Sequence, residues 1–205
     1  MVEAVIFDIG NVLIEWQPER HYDRLMPRAR REAMFAEVDL HGMNDVIDRG
    51  GPFRETVEAW AARTPQWREE ILRWHDDWIE MASPVIERSL RLMRALQAKQ
   101  IPVFSLTNFG IETFDHACTH YPFLRAFDRP FISGHLGVIK PEARIYEIVE
   151  EVSGLAGHQL LFTDDRADNI AAAHLRGWKT HLFEGPAGWA ARLVAEGLLS
   201  EAEAV

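Results

Sequence analysis

The stretch Val5-Ile6-Phe7-Asp8-Ile9-Gly10-Asn11-Val12-Leu13-Ile14 decides the fold. Residues 4–7 are apolar without alternation, the pattern of a strand covered on both faces, and they run straight into a carboxylate. Asp8 is therefore placed at the C-terminal end of a buried strand, the edge where open α/β sheets bind ligands. Gly10 and Asn11 form a tight turn that lets backbone approach a ligand. Taken alone, the same residues also read as a capping Asp before a Gly-Asn turn. The remainder of the chain separates the two.

Downstream, the composition divides in two. Residues 16–83 follow a helical pattern punctuated by Pro27, Gly50-Gly51-Pro52 and Thr64-Pro65, with no clear strand. They are expected to form an all-helical domain inserted into a core made of residues 1–15 and 84–205. Trp60, Trp67, Trp74 and Trp78 share one helical face if the backbone continues past Pro65, and such a stripe reads as core before it reads as a ligand surface. His41, Asn44, Asp48 and Arg49, in the polar stretch before the double glycine, are better candidates for substrate contacts.

From Pro84 onward helices and strands alternate. The pattern predicts a helix over 85–100, a strand over 101–106, a helix over 110–120, a short strand at 131–132 and a loop through Gly137. It continues with a helix over 141–153 with Pro141 in its first turn, a strand over 159–163, a helix over 167–176, a strand over 179–183 and a helix over 187–199. Such alternation means right-handed βαβ units and a mainly parallel sheet. Asp8, Thr107 and Asp164-Asp165 each follow an apolar strand, so all lie at one sheet edge. Carboxylates gathered there repel one another unless positive charge sits between them. A hard divalent cation such as Mg²⁺ answers that requirement, taking oxygen ligands and keeping waters that a phosphate replaces. Lys140, just before a proline, reads either as a solvated side chain or as a further positive charge at this edge.

Composition sets the outer bounds. The 205 residues are 47% hydrophobic and 26% charged, with a formal net charge of -10, an ordinary globular balance that argues against nucleic acid and anionic membranes as partners. No apolar run is long enough to span a membrane and the first residues lack a signal-peptide pattern, so a cytoplasmic location is expected. The single cysteine, Cys118, has no disulfide partner in the chain and reads as a small buried filler.

Four segments taken together, Phe7-Asp8-Ile9-Gly10-Asn11-Val12-Leu13, Leu106-Thr107-Asn108, Lys140-Pro141-Glu142-Ala143-Arg144-Ile145-Tyr146 and Phe162-Thr163-Asp164-Asp165-Arg166-Ala167-Asp168-Asn169, give the chain its resemblance to phosphatases of the haloacid dehalogenase superfamily, in particular to its bacterial sugar-phosphate phosphatases, those of glucose 1-phosphate included. The resemblance implies an α/β fold, a Rossmann-like three-layer core with a mainly parallel sheet and an inserted all-helical cap. It implies Mg²⁺-dependent hydrolysis of a small phosphorylated metabolite by a monomer or homodimer, with Asp8 as nucleophile and an aspartyl phosphate as intermediate. It further implies that Asp8, the Gly10 carbonyl and Asp165 bind Mg²⁺, while Asp164 acts through water or holds Lys140. The phosphoryl oxygens are assigned to Thr107, to the backbone N–H groups of Ile9 and Gly10 and of Asn108 after Thr107, and to Lys140, which offsets their charge. One departure stands out: many relatives carry a second Asp two residues after the nucleophile as general acid and base, and here that position is Gly10. Glu15, Asp48 and His41 are conceivable substitutes. Two rival functions remain: a metal-independent 2-haloacid dehalogenase, which the paired acids disfavour, and a non-catalytic protein that keeps the fold.

Overall fold

A computed structural model of the chain describes residues 1–205. Strand β1 (Ala4–Phe7) is buried on both faces, as its unbroken apolar run demands. After the Asp8 turn comes β2 (Ile14–Trp16), followed by a helical excursion: α1 (Pro18–Leu25), α2 (Arg28–Glu37), α3 (Leu40–Asp48), α4 (Phe53–Arg63), α5 (Arg68–Asp76) and α6 (Trp78–Met81). Strand β3 (Ala82–Val85) brings the chain back antiparallel to β2. Then follow α7 (Glu87–Ala98), β4 (Val103–Thr107), α8 (Ile111–His120), β5 (Arg129–Ile132), α9 (Ser133–Leu136), α10 (Ala143–Ser153), β6 (Leu160–Asp164), α11 (Ala167–Leu175), β7 (Lys179–Leu182) and α12 (Pro186–Ala195).

The main sheet has the order β5-β4-β1-β6-β7, and every pairing in it is parallel. Because β1 lies in the middle and the chain builds first to one side and then to the other, its C-terminal end is the switch point where a crevice opens. The strand period of two sends Val5, Phe7, Val103 and Leu161 into one core, with Leu96 of α7 and Leu193 of α12. It sends Ala4, Ile6, Phe104 and Phe162 into the other, with Ile145 of α10 and Ala173 of α11. This is the three-layer α/β arrangement expected. Phe7 meets Trp189 edge-on at 5.5 Å, fixing α12 beneath the strand that carries Asp8. No helix is long and apolar enough to cross a membrane.

Four local expectations are corrected. Residues 82–85 form a strand, and α7 starts only at Glu87, because the ribbon with β2 is extended by Ile86 N–H donating to the Leu13 carbonyl and Gln17 N–H to that of Met81, both at 2.8 Å. The tryptophans do not share one helix: Pro65, which lacks an N–H, ends α4 and opens a 3₁₀ turn, yet Trp67, Trp74 and Trp78 are all buried in the core. The loop at Gly137 contains the short α9, which Gly137 closes in the left-handed conformation, φ 70°. Pro141 stays outside α10, since Asn108 holds the backbone of Lys140 on both sides, accepting its N–H at 2.8 Å and donating to its carbonyl at 3.0 Å.

The helical excursion is docked on the core where α3 ends. A Cβ on Gly110 would lie 2.6 Å from Cγ2 of Ile47 and 2.9 Å from the Ile47 carbonyl. The Ser133 hydroxyl donates to the Asp48 carbonyl at 2.6 Å, Phe53 N–H donates to Glu112 at 2.9 Å, and Arg49 pairs with Glu142. Gly110→Ala, pressed against the Ile47 side chain at 2.6 Å and its carbonyl at 2.9 Å, is expected to cost about 1–3 kcal/mol. Gly188→Ala in α12, where the nearest atoms are 3.7 Å away, is expected to be neutral or to stabilise by up to about 1 kcal/mol. Urea unfolding midpoints check the pair, and equal stability of the two variants would contradict the docking.

Candidate active site

At the C-terminal edge of the sheet the Lys140 ammonium is buried, 3% exposed, and each of its three protons has an acceptor. It lies 2.9 Å from Asp8 Oδ1, 2.6 Å from Asp164 Oδ2 and 2.9 Å from the Leu106 carbonyl. The solvated alternative for this lysine is thereby excluded. Burial alone would lower its pKa, but Asp164 and Asp8 outweigh that and hold it above the ordinary lysine value.

The three carboxylates differ in what they have left to offer. Asp164 is fully buried and its two oxygens take four hydrogen bonds, from Lys140, Arg166 N–H and both contacts of Asn169 Nδ2. That fills its lone-pair positions, the environment of a residue that holds Lys140. Asp165 is half-buried and accepts one bond on Oδ2, from Asn11 Nδ2 at 3.0 Å. Asp8 Oδ1 accepts from Ile9 N–H at 2.7 Å and from Lys140, while no donor reaches Oδ2. Burial pushes the Asp8 carboxyl up to about 7, and Asp164 and Asp165 add to the rise against the pull of Lys140. Burial also raises Asp165.

Oxygens of Asp8, Asp164 and Asp165 lie within 4.8 Å of one another. One ammonium against three carboxylates leaves surplus negative charge, and an all-oxygen donor set suits a hard divalent cation. These residues fit such an ion. Gly10 lines the same crevice, and a Cβ there would meet nothing nearer than Trp16 Cβ at 4.0 Å, so the backbone does not demand glycine and space beside Asp8 stays open.

The crevice opens into a pocket of about 280 Å³. Besides the strand-end residues, its lining includes Thr107, Asn108, Glu15, Arg166 and, from α3, His41, Asn44, Asp45 and Asp48. Trp16, Trp78 and Phe109 form a continuous aromatic run along it, with ring centroids 5.7 and 5.5 Å apart. Of the four polar residues expected at the substrate, His41, Asn44 and Asp48 reach the pocket. Arg49 turns to Glu142 instead. Asp48 is buried and accepts from Asn44 Nδ2 at 2.8 Å. Burial, with Asp45 adding, pushes its carboxyl up to about 8. The Asn108 side chain is occupied in clamping Lys140, which leaves only its backbone for a ligand.

Sequence reasoning missed Asn11 and Asn169. Asn11, in the left-handed region at φ 54°, fastens Asp165 with its Nδ2 and accepts Trp16 N–H on Oδ1 at 2.9 Å. The Gly-Asn pair was a signal for the backbone conformation but not for the partner. Asn169, one turn into α11, is placed by helix geometry to reach back to Asp164.

The family model for haloacid dehalogenase-like hydrolases matches residues 2–175. The chain is 22% identical over 191 residues to the sesquiterpene phosphatase astK of Aspergillus oryzae, covering 85% of this chain and 86% of that protein. It is 23% identical over 188 residues to the drimenol cyclase drtB of Aspergillus calidoustus, covering 89% of this chain but spanning only 34% of that protein. Among solved structures, a mutant of a HAD family enzyme from Bacteroides thetaiotaomicron in complex with magnesium and inorganic phosphate matches with a TM-score of 0.64 at 17% identity, over 90% of this chain and 95% of that one.

The environment of Asp48 has a consequence for stability. Its carboxyl is raised from about 3.8 to about 8, so between those pH values the folded protein keeps a proton that the unfolded chain releases. Stability from this group is full at low pH and is lost as pH rises from about 4 to about 8. Asp48→Asn removes that loss. In chelator-treated protein, the unfolding midpoint of the variant relative to wild type is expected to rise from pH 5 to pH 9, and a constant difference would contradict the assignment.

Proposed function

The chain belongs to the haloacid dehalogenase-like hydrolase family, and within it we propose that the protein is a Mg²⁺-dependent phosphatase acting on a small polar phosphate monoester, with a sugar phosphate as the substrate class. The observation that carries this reading is the buried Lys140–Asp8 pair inside a carboxylate cluster, at the C-terminal sheet edge, where it opens into a pocket. A phosphomonoester is slow to hydrolyse because its barrier is high and its oxygens repel nucleophiles, so positioning and charge neutralisation are the main tasks.

Asp8 performs the attack on phosphorus with the carboxylate that its strand holds at the pocket floor, forming an aspartyl phosphate that water then hydrolyses. Lys140 keeps its charge against Asp8 throughout, and Asp164 with Asn169 holds Lys140 in place. The Thr107 hydroxyl and the N–H groups of Gly10 and Asn108 receive the phosphoryl oxygens. The Ile9 N–H is engaged by Asp8 Oδ1 and becomes available when that oxygen moves. Asp8, Asp165 and the Gly10 carbonyl would hold Mg²⁺. When bound, the ion supplies positive charge that favours ionised Asp8 and screens the phosphoryl group.

Residues 16–83 serve as the cap that meets the leaving group. A volume of about 280 Å³ is at the small end of ligand sites, and the α3 lining is polar. A hydroxylated ring satisfies Asn44, Asp45 and His41 while laying one apolar face on Trp16 and Trp78. A terpenyl chain of the kind named for astK would instead bury those polar groups without partners. A metal-independent 2-haloacid dehalogenase would meet its carboxylate substrate with that surplus negative charge uncompensated, whereas a bound divalent cation offsets it for a phosphate ester.

Assay against a panel of phosphate esters tests this. Turnover is expected with Mg²⁺ and none after chelation. Asp8→Asn is expected to fall to background while remaining folded. Lys140→Ala is expected to lose about 10²-fold or more in kcat/KM. Full activity in Asp8→Asn would overturn the nucleophile. A preference for farnesyl phosphate over sugar phosphates would overturn the substrate class and leave the phosphatase reading standing.

A further inference from the structure

Resting on that phosphatase reading, we propose that Asp48, at the end of α3, is the general acid that protonates the leaving oxygen and the general base that then deprotonates the attacking water. An alkoxide is a poor leaving group unless it receives a proton, and residue 10, a glycine, has no side chain to give one.

The other acids of the pocket are otherwise engaged or placed. Glu15 is ion-paired with Arg20 at 2.5 Å. Asp164 is saturated with donors, and Asp165 belongs to the cation cluster. His41 and Asp45 are exposed. Asp48 alone combines burial with a place in the pocket outside the cluster, near enough that Lys140 and Asp8 both act on its carboxyl.

Its position is also fixed. Asn44 donates to Oδ2 at 2.8 Å, and the Gly110 backbone N–H also acts on the carboxyl. The Asp48 backbone carbonyl accepts from Ser133, and α3 lies against Gly110 without room for a methyl group. The cap helix therefore presents this carboxyl from a docked position. Burial and the Asp45 charge keep it protonated at neutral pH, while Lys140 limits the rise, so proton loss and gain both remain accessible.

The steps balance. Asp8 carboxylate forms a bond to phosphorus as the phosphorus–oxygen bond to the leaving group breaks, and the Asp48 proton passes to that oxygen. The product is an alcohol, an aspartyl phosphate and an Asp48 carboxylate. Water then attacks phosphorus, Asp48 takes its proton, the bond to Asp8 breaks, and inorganic phosphate leaves with both residues restored.

First-turnover kinetics test the role. With Asp48→Asn, p-nitrophenyl phosphate, whose leaving group needs no proton, is expected to keep a fast burst of one equivalent of nitrophenolate. The first turnover of an alkyl phosphate is expected to slow about 10²- to 10⁴-fold. The second half-reaction slows for both esters, so phosphate accumulates on Asp8 and is recovered by acid quench, a signature that only folded protein gives. An equal first-turnover loss on the two esters, or an unchanged rate on the alkyl ester, would overturn the assignment of Asp48. Wild-type protein that cleaves neither ester would overturn the phosphatase reading instead.

Discussion

A desolvated ammonium cannot be left unpaired without a penalty of several kcal/mol, and Lys140 is such a group. Its three acceptors come from the end of β1, from the last turns of β4 and from the end of β6, while its own backbone is clamped by Asn108 after β4. Four segments far apart in the chain therefore have to arrive together for any of them to be satisfied. The same contact that orders the sheet edge also fixes Asp8, the proposed nucleophile, so the requirement for folding and the proposed requirement for chemistry fall on one side chain.

The parallel sheet supplies the place and the helices supply the enclosure. With β1 central, Asp8 projects where connections diverge, and nothing from the core covers it. The cover comes from α3 and from the aromatic run through Trp16 and Trp78. Both are held by packing rather than by long flexible loops. Charge is distributed accordingly, with the surplus of carboxylates at the floor and the buried Asp48 carboxyl, its pKa raised, on the side proposed to meet the leaving group.

The sequence made the alternating half of the molecule plain, because a period of two and a period near four are local signals that survive into the structure. The strand-end acids were legible for the same reason: Asp8 and Asp164-Asp165 directly follow apolar runs. What was not legible depended on partners remote in the chain. The β2–β3 ribbon joins residues on either side of six helices. The local sequence left Lys140 open between a solvated side chain and a charge at the site, because its acceptors lie on three other segments. Asn11, Asn108 and Asn169 are side chains whose targets only the tertiary structure supplies, and Arg49, polar and well placed in the chain, is turned toward Glu142 by the same circumstance. The tryptophan stripe kept its buried character but lost its continuity at Pro65.

The ribbon of β2 and β3 sets the entry and exit of the helical excursion side by side. A loop whose ends are already stapled gains or loses closure entropy only logarithmically with its length, so what ties the helices between those strands to the fold beneath is their packing, not their connection. On the proposed function, recognition lies on this helical excursion and the reaction centre on the sheet edge beneath it. Asp48, as the proposed proton donor, crosses that division: it would put one step of the chemistry on the excursion, while position 10, beside Asp8, keeps open space that its backbone does not reserve for glycine.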